Sequence, residues 1–188
     1  FESKKPNEPV HVQYSYDDHS IVVVNELYEA RKNLRVFAEV FDVNLAPKFL
    51  REAAVDLPAD GVVRALTLPT LPDLTTTYFL RLRLLDAGGR EISRNFYWLS
   101  TEEDVLDWKN TKWYYTPTTR HADLRALASL PATTVEAVST FESSGTTGEA
   151  RVAVSNRGRA LAFQVRLKLV DPRDGKELLP VYWQDNYF

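Results

Sequence analysis

The chain contains no cysteine and no methionine. Without thiols there is no disulfide framework, no cysteine nucleophile and no zinc–thiolate site, so redox chemistry says nothing about the compartment. Methionine is missing even at position 1, which gives the expectation that the chain begins partway into a longer gene product. Long apolar runs are missing too. No run, Ile21-Val22-Val23-Val24 included, exceeds 4 residues, against the roughly 20 that a spanning helix needs, which argues against a membrane span. An excess of one charge sign is also absent: 23 basic against 26 acidic side chains leave a net charge of -3. No basic stripe exists to displace counterions from phosphates, so nucleic-acid binding is not expected. Glycine-rich phosphate loops do not occur. Residues 141–148 combine Ser, Thr and Gly but hold no lysine and no helix signal follows.

What remains is enough apolar material for real cores, with 44% hydrophobic and 12% aromatic residues, and an ordinary 26% charged fraction. A length of 188 residues suits two domains of roughly 100 residues each. Strand signals dominate the first half. In residues 10–16, Val10, Val12, Tyr14 and Tyr16 alternate with His11, Gln13 and Ser15, the period of a half-buried strand. Residues 20–27 follow a turn at Asp17-Asp18-His19 and read as a buried β-branched strand. Leu34, Val36, Ala38, Val40 and Val43 mark a long strand whose alternation slips by one near Phe41-Asp42, the sign of a bend or bulge. Residues 49–57, 62–68, 76–85 and 91–99 are further strands, the last two flanking Asp86-Ala87-Gly88-Gly89-Arg90, a hairpin turn whose glycines tolerate positive φ. Turn signals about every 8–12 residues through residues 1–100 fit an immunoglobulin-like sandwich, although its Cys…Trp…Cys signature is missing. A closed barrel is the alternative that periodicity does not exclude.

The texture changes after Ser100. Thr101-Glu102-Glu103-Asp104 reads as a helical N-cap with acids in the first turn, and residues 121–130 as a helix with Leu124, Leu127 and Ala128 on one face. Residues 113–117 are extended and aromatic, with the character of a short strand. Strands are expected at 135–142, 149–155, 163–170 and 177–183. The fold class is therefore all-β: one immunoglobulin-like sandwich over residues 10–103, then a second, incomplete one with a short helix over 104–188. This unit offers fewer strands than a sandwich needs, so the chain is expected to stop inside it.

No reaction centre emerges. The acidic clusters Asp17-Asp18, Glu102-Glu103-Asp104 and Asp171 with Asp174 sit in turns or at element ends, where solvated carboxylates collect. His11, His19 and His121 share no metal spacing, and His11 takes the polar phase of its strand as a surface or interface residue. No nucleophile elbow is present; Ser143-Ser144-Gly145 falls in a polar loop. The aromatic group Trp98, Trp108, Trp113, Tyr114, Tyr115, Tyr182 and Trp183 stands out instead. Within it, Trp108, Trp113, Tyr114 and Tyr115 are the candidate contact residues, either packing at a domain interface or stacking on sugar rings. No catalytic residue, metal ligand or cofactor is expected.

Several stretches carry a family resemblance: Lys4-Lys5-Pro6-Asn7-Glu8-Pro9 running on through Asp18, Ser20-Ile21-Val22-Val23-Val24-Asn25, Ser93-Arg94-Asn95-Phe96-Tyr97-Trp98-Leu99-Ser100, Trp113-Tyr114-Tyr115-Thr116-Pro117, and Leu179-Pro180-Val181-Tyr182-Trp183-Gln184-Asp185-Asn186. In order, and over nearly the whole chain, they resemble the C-terminal region of glycoside hydrolase family 2 enzymes of the exo-β-D-glucosaminidase and β-mannosidase type. The resemblance implies that residues 1–9 leave a (β/α)8 catalytic barrel and that two immunoglobulin-like domains follow. It implies that both catalytic glutamates lie on that barrel and match nothing here. It further implies that the chain's partner is the barrel itself, with polysaccharide as the alternative, and that the parent is periplasmic or secreted.

Overall fold

The computed structural model describes residues 7–145 and 147–183. Contacts divide the chain into two compact units, Glu2–Ser129 and Leu130–Phe188.

Within the first unit, β1 (Val10–Tyr14), β2 (Ser20–Asn25) and β5 (Gly61–Thr67) form one antiparallel sheet in the order β1-β2-β5. A second antiparallel sheet has the order β4-β3-β6-β7, from β4 (Pro47–Leu57), β3 (Arg31–Asp42), β6 (Thr77–Leu85) and β7 (Glu91–Ser100). Two separate sheets make a sandwich and not a barrel. Side-chain alternation decides which face turns inward. Leu34, Val36, Ala38 and Val40 of β3 and Leu80, Leu82 and Leu84 of β6 meet Val12, Ile21 and Val23 from the other sheet, and all are nearly or fully buried. Removing any of them would leave a cavity costing about 2–5 kcal/mol per large aliphatic group. The slip in β3 is real: its pairing with β4 shifts register between Val40 and Phe41. The Asp86 turn also forms as its residues dictate. Asp86 Oδ1 accepts the N–H groups of Gly88 at 3.0 Å and Arg90 at 2.9 Å, and Gly89 takes a φ of 84° that glycine adopts without steric cost.

The two sheets are tied at one edge by side chains. The Val12 N–H donates to Ser93 Oγ at 3.4 Å and the Tyr14 N–H to the Tyr97 hydroxyl at 3.1 Å, while Asn95 Nδ2 donates to that same hydroxyl at 2.9 Å. β7 thus satisfies amides of β1 that face away from β2. His11 corrects its expected surface position. It is 5% exposed, and its Nδ1–H donates to the Glu8 carbonyl at 2.7 Å. A local backbone acceptor is what lets this imidazole occupy a buried position.

After β7 the chain is irregular. The expected helical start at residues 101–104 leads instead into β8 (Val105–Leu106), which pairs with β9 (Thr118–Arg120). Residues 121–130 yield only a 3-10 helix, Arg125–Ser129. None of the residues of this turn is buried, so little packing sustains a full α-helix.

In the second unit, β10 (Val135–Ser144) and β11 (Thr147–Asn156) form a long antiparallel hairpin, matching two of the four expected strands. The strands expected at 163–170 and 177–183 do not form as ladders among the described residues. One bridge, Val170 to Glu177, and the Leu178 N–H to Leu169 carbonyl bond at 2.8 Å join them around the turn at Asp171. An extended segment becomes a ladder strand only with a neighbour along its length. Gln184, Asp185 and Asn186 of the resemblance lie outside the described residues.

Tyr97→Phe removes the acceptor of a part-buried amide without changing the ring. We expect a loss of about 1–3 kcal/mol, measured by urea unfolding, with the sandwich retained in far-UV circular dichroism.

Candidate interaction site

The four candidate aromatics lie on one hairpin. Pairing of Val105 with Arg120 and Leu106 with Thr118 forms its base, and Thr119 Oγ1 donates to the Val105 carbonyl at 3.0 Å. Above it the Asp107 N–H donates to the Pro117 carbonyl at 2.8 Å. Asp107 then caps a 3-10 turn, Trp108–Asn110, by accepting the Asn110 N–H at 3.3 Å, the task for which aspartate is favoured at helix starts. Thr111 and Thr116 bring their hydroxyls within 3.1 Å. At the tip, Lys112 and Tyr115 exchange two backbone hydrogen bonds, at 2.8 and 3.0 Å.

Trp113 and Tyr114 are therefore the two central residues of a tight turn. Two-residue hairpin loops that continue into twisted strands need positive φ. Neither residue is among the described non-glycine positions with positive φ. The ladder consequently stops after one bridge, and the strand character expected for residues 113–117 is reduced to a turn.

The resulting display is open. Trp113 is 97%, Tyr114 84%, Trp108 70% and Tyr115 57% exposed. The Trp113 and Tyr114 rings stand edge to face, 5.6 Å apart at 86°, so each stiffens the other. Aromatics of this size each bury on the order of 150–250 Å² when covered. Rings on a pinned backbone also lose little entropy on contact. The structure places Trp108, Trp113, Tyr114 and Tyr115 on one hairpin; Tyr182 is 93% exposed and belongs to the other unit.

Asp18, Asp104 and Asp123 are held by turn amides and ion pairs. Asp18 accepts the Ser20 N–H at 3.0 Å and pairs with Arg64, and these contacts, the Ser20 bond foremost, hold it below the usual carboxylate range. Asp104 accepts the Ala122 N–H at 2.9 Å. A shallow depression lined by Thr76, Thr77, Asp123, Arg125, Ala126 and Ser129 contains one ion pair, and hydrogen bonds from Arg125 keep Asp123 down at about 2. A proton donor at neutral pH needs the opposite shift. Tyr14, which pairs with the His19 ring, is pushed far above the ordinary tyrosine range by burial and cannot serve as a base. Among the described residues, no three His, Asp or Glu side chains gather into a metal site.

Comparison with known proteins supplies a context for this geometry. Residues 17–101 match a family described as the mannosidase Ig/CBM-like domain, and residues 113–188 one described as the exo-β-D-glucosaminidase Ig-fold domain. An exo-β-D-glucosaminidase of Streptomyces avermitilis is 45% identical over 99% of this chain, and one of Amycolatopsis orientalis 40% identical over 98%. The chain spans only 21% and 18% of the length of those relatives. The crystal structure of an Amycolatopsis orientalis exo-chitosanase superposes with a TM-score of 0.92 at 37% identity, covering 99% of this chain and 22% of that one.

Replacing Trp113 and Tyr114 together by alanine removes surface and not core. Thermal unfolding of this double variant is expected to match the parent chain within about 0.5 kcal/mol. A loss above about 2 kcal/mol would mean that the hairpin packs into the fold.

Proposed function

We propose, from the premise that this chain carries the immunoglobulin-like domains of exo-β-D-glucosaminidase-type members of glycoside hydrolase family 2, that it is a non-catalytic accessory region of an enzyme cleaving β-D-glucosaminides. By the change of texture after Ser100, residues 10–103 are assigned to the first domain and residues 104–188 to the second, whereas contacts divide the chain later, between Ser129 and Leu130. The observation that carries the reading is a mismatch of coverage. The relative matches 99% of this chain while the chain accounts for 21% of the relative, leaving ample length for the catalytic barrel that the resemblance implies. Glucosaminides are preferred over mannosides because the curated relatives are exo-β-D-glucosaminidases.

The physical role is bracing. A barrel builds its active site from loops at one face, and rigid neighbouring domains can hold such loops in place. The aromatic hairpin is the element for that contact. Its rings are exposed, its backbone is pinned, and covering them would release water from large apolar surfaces. A second reading, polysaccharide stacking on the tip, is favoured by one observation: Trp113, at 97% exposure, leaves its ring faces accessible.

The purified chain is expected to release no nitrophenol from p-nitrophenyl β-D-glucosaminide or the corresponding β-mannoside, and to migrate unretarded in chitosan gels. Turnover by a contaminant-free sample would overturn the accessory reading. Retardation that disappears with Trp113→Ala would replace docking by sugar binding.

A further inference from the structure

The aromatic hairpin and the first sandwich lie in one compact unit, which runs to Ser129. The reason is found at the two roots of the hairpin. On the entry side the chain leaves β7 without losing its hold on the start of β6. The Thr101 N–H donates to the Thr76 carbonyl at 2.8 Å, and the Glu102 N–H to Ser100 Oγ at 3.0 Å. On the exit side the Ala122 N–H donates to Asp104 Oδ1 at 2.9 Å and the Asp123 N–H to the Glu102 carbonyl at 3.2 Å. Entry and exit are thereby bonded to each other next to the β8–β9 pairing.

A further bond reaches the exit root from the sheet. Thr77, the first residue of β6, is only 2% exposed, and its hydroxyl donates to the Asp123 carbonyl at 3.0 Å. The Thr77 carbonyl accepts from Thr75 Oγ1 at 2.6 Å, and Thr75 Oγ1 accepts the Val43 N–H at 3.0 Å, so the donor is itself held from the β3 side. Asp123 thus gives its N–H to the entry root and its carbonyl to the sheet. Its carboxylate accepts the Arg125 N–H at 3.1 Å, and the 3-10 turn Arg125–Ser129 then packs beside β6. A loop joined to a body at two chain crossings can rock about them in nanoseconds to microseconds. Here rocking has to break a hydrogen bond whose donor is buried.

We infer that Thr77 is the positioning residue of the aromatic hairpin: its bond to Asp123 makes residues 102–123 a fixed arm of the first sandwich and sets the direction in which Trp113 and Tyr114 point. The use of such an arm rests on the docking role proposed above. Rings aimed by the sandwich meet a partner surface in one orientation, so their ordering is completed on folding and not charged to the contact. The arm acts through backbone groups of Glu102 and Asp123, and Thr77 itself lies under the partner-facing surface, where it touches no ring of the hairpin tip.

Amide residual dipolar couplings of the weakly aligned full chain test this. In the parent, couplings of Leu106, Asp107, Lys112 and Thr118 should fit the alignment tensor of β3 and β6. Thr77→Val keeps the shape and the strand but removes the donor. Those hairpin couplings should then shrink to below about half, through averaging over the rocking motion. Exchange at the Asp123 amide should rise about tenfold, while Leu80 and Leu82 keep parental protection. Thr77→Ser retains the hydroxyl and should keep the parental couplings. Asp104→Ala, at an exposed position, should speed exchange at Ala122 about fivefold with the sandwich intact, and it carries the test if Thr77→Val does not fold. Parental hairpin couplings that miss the sandwich tensor would overturn the inference, as would couplings indifferent to Thr77→Val. A rise at Leu80 and Leu82 equal to that at Asp123, or a serine variant no better than valine, would reduce Thr77 to a core residue and overturn it too. None of these readings involves turnover or sugar, so their failure is distinct from failure of the docking role.

Discussion

The interlock between the two inner sheet faces is the constraint on which the first unit depends. Leu34, Val36, Leu80 and Leu82 have one set of partners, Val12, Ile21 and Val23, and those partners sit on strands far away in sequence. Closing that core fixes the register of all seven strands of the sandwich, since a one-residue slip would turn each buried set outward. It also positions what lies outside it. Ser93 and Tyr97 point inward to tie β1, so their neighbours Phe96 and Trp98 must point outward.

Much of this was legible in the sequence, because period-two alternation is a local signal. The seven strands between residues 10 and 100 fall within a few positions of their expected ends, and the slip near Phe41-Asp42 was visible as a break in parity. His11 was not legible, since its burial depends on the Glu8 carbonyl three residues earlier and not on polarity. The anchor of the hairpin was equally hidden, since Thr77, Glu102 and Asp123 look unrelated along the chain and meet only in the fold. In the second unit, Phe163, Val165, Leu167 and Leu169 alternate as a strand should, yet alternation states only that one face prefers burial. Pairing is decided by neighbours.

The hairpin of residues 105–120 shows the same division at the candidate site. Its composition was plain from Trp108 to Tyr115, but the sequence left two readings of those rings, packing at an interface, which it favoured, and stacking on sugar. Local hydrogen bonds from Asp107, Thr111 and Lys112 shape the hairpin, and its rings are exposed. Rings held this way stay accessible on a pinned backbone.

Native-state hydrogen exchange on the intact chain tests the central claim, that a self-sufficient sandwich carries the hairpin as surface. The account predicts that amides of Val36, Ala38, Leu80 and Leu82 exchange only through global unfolding, while those of Trp113 and Tyr114 exchange through local opening orders of magnitude faster. Equal protection at both sets would contradict it, because the aromatic tip would then belong to the core.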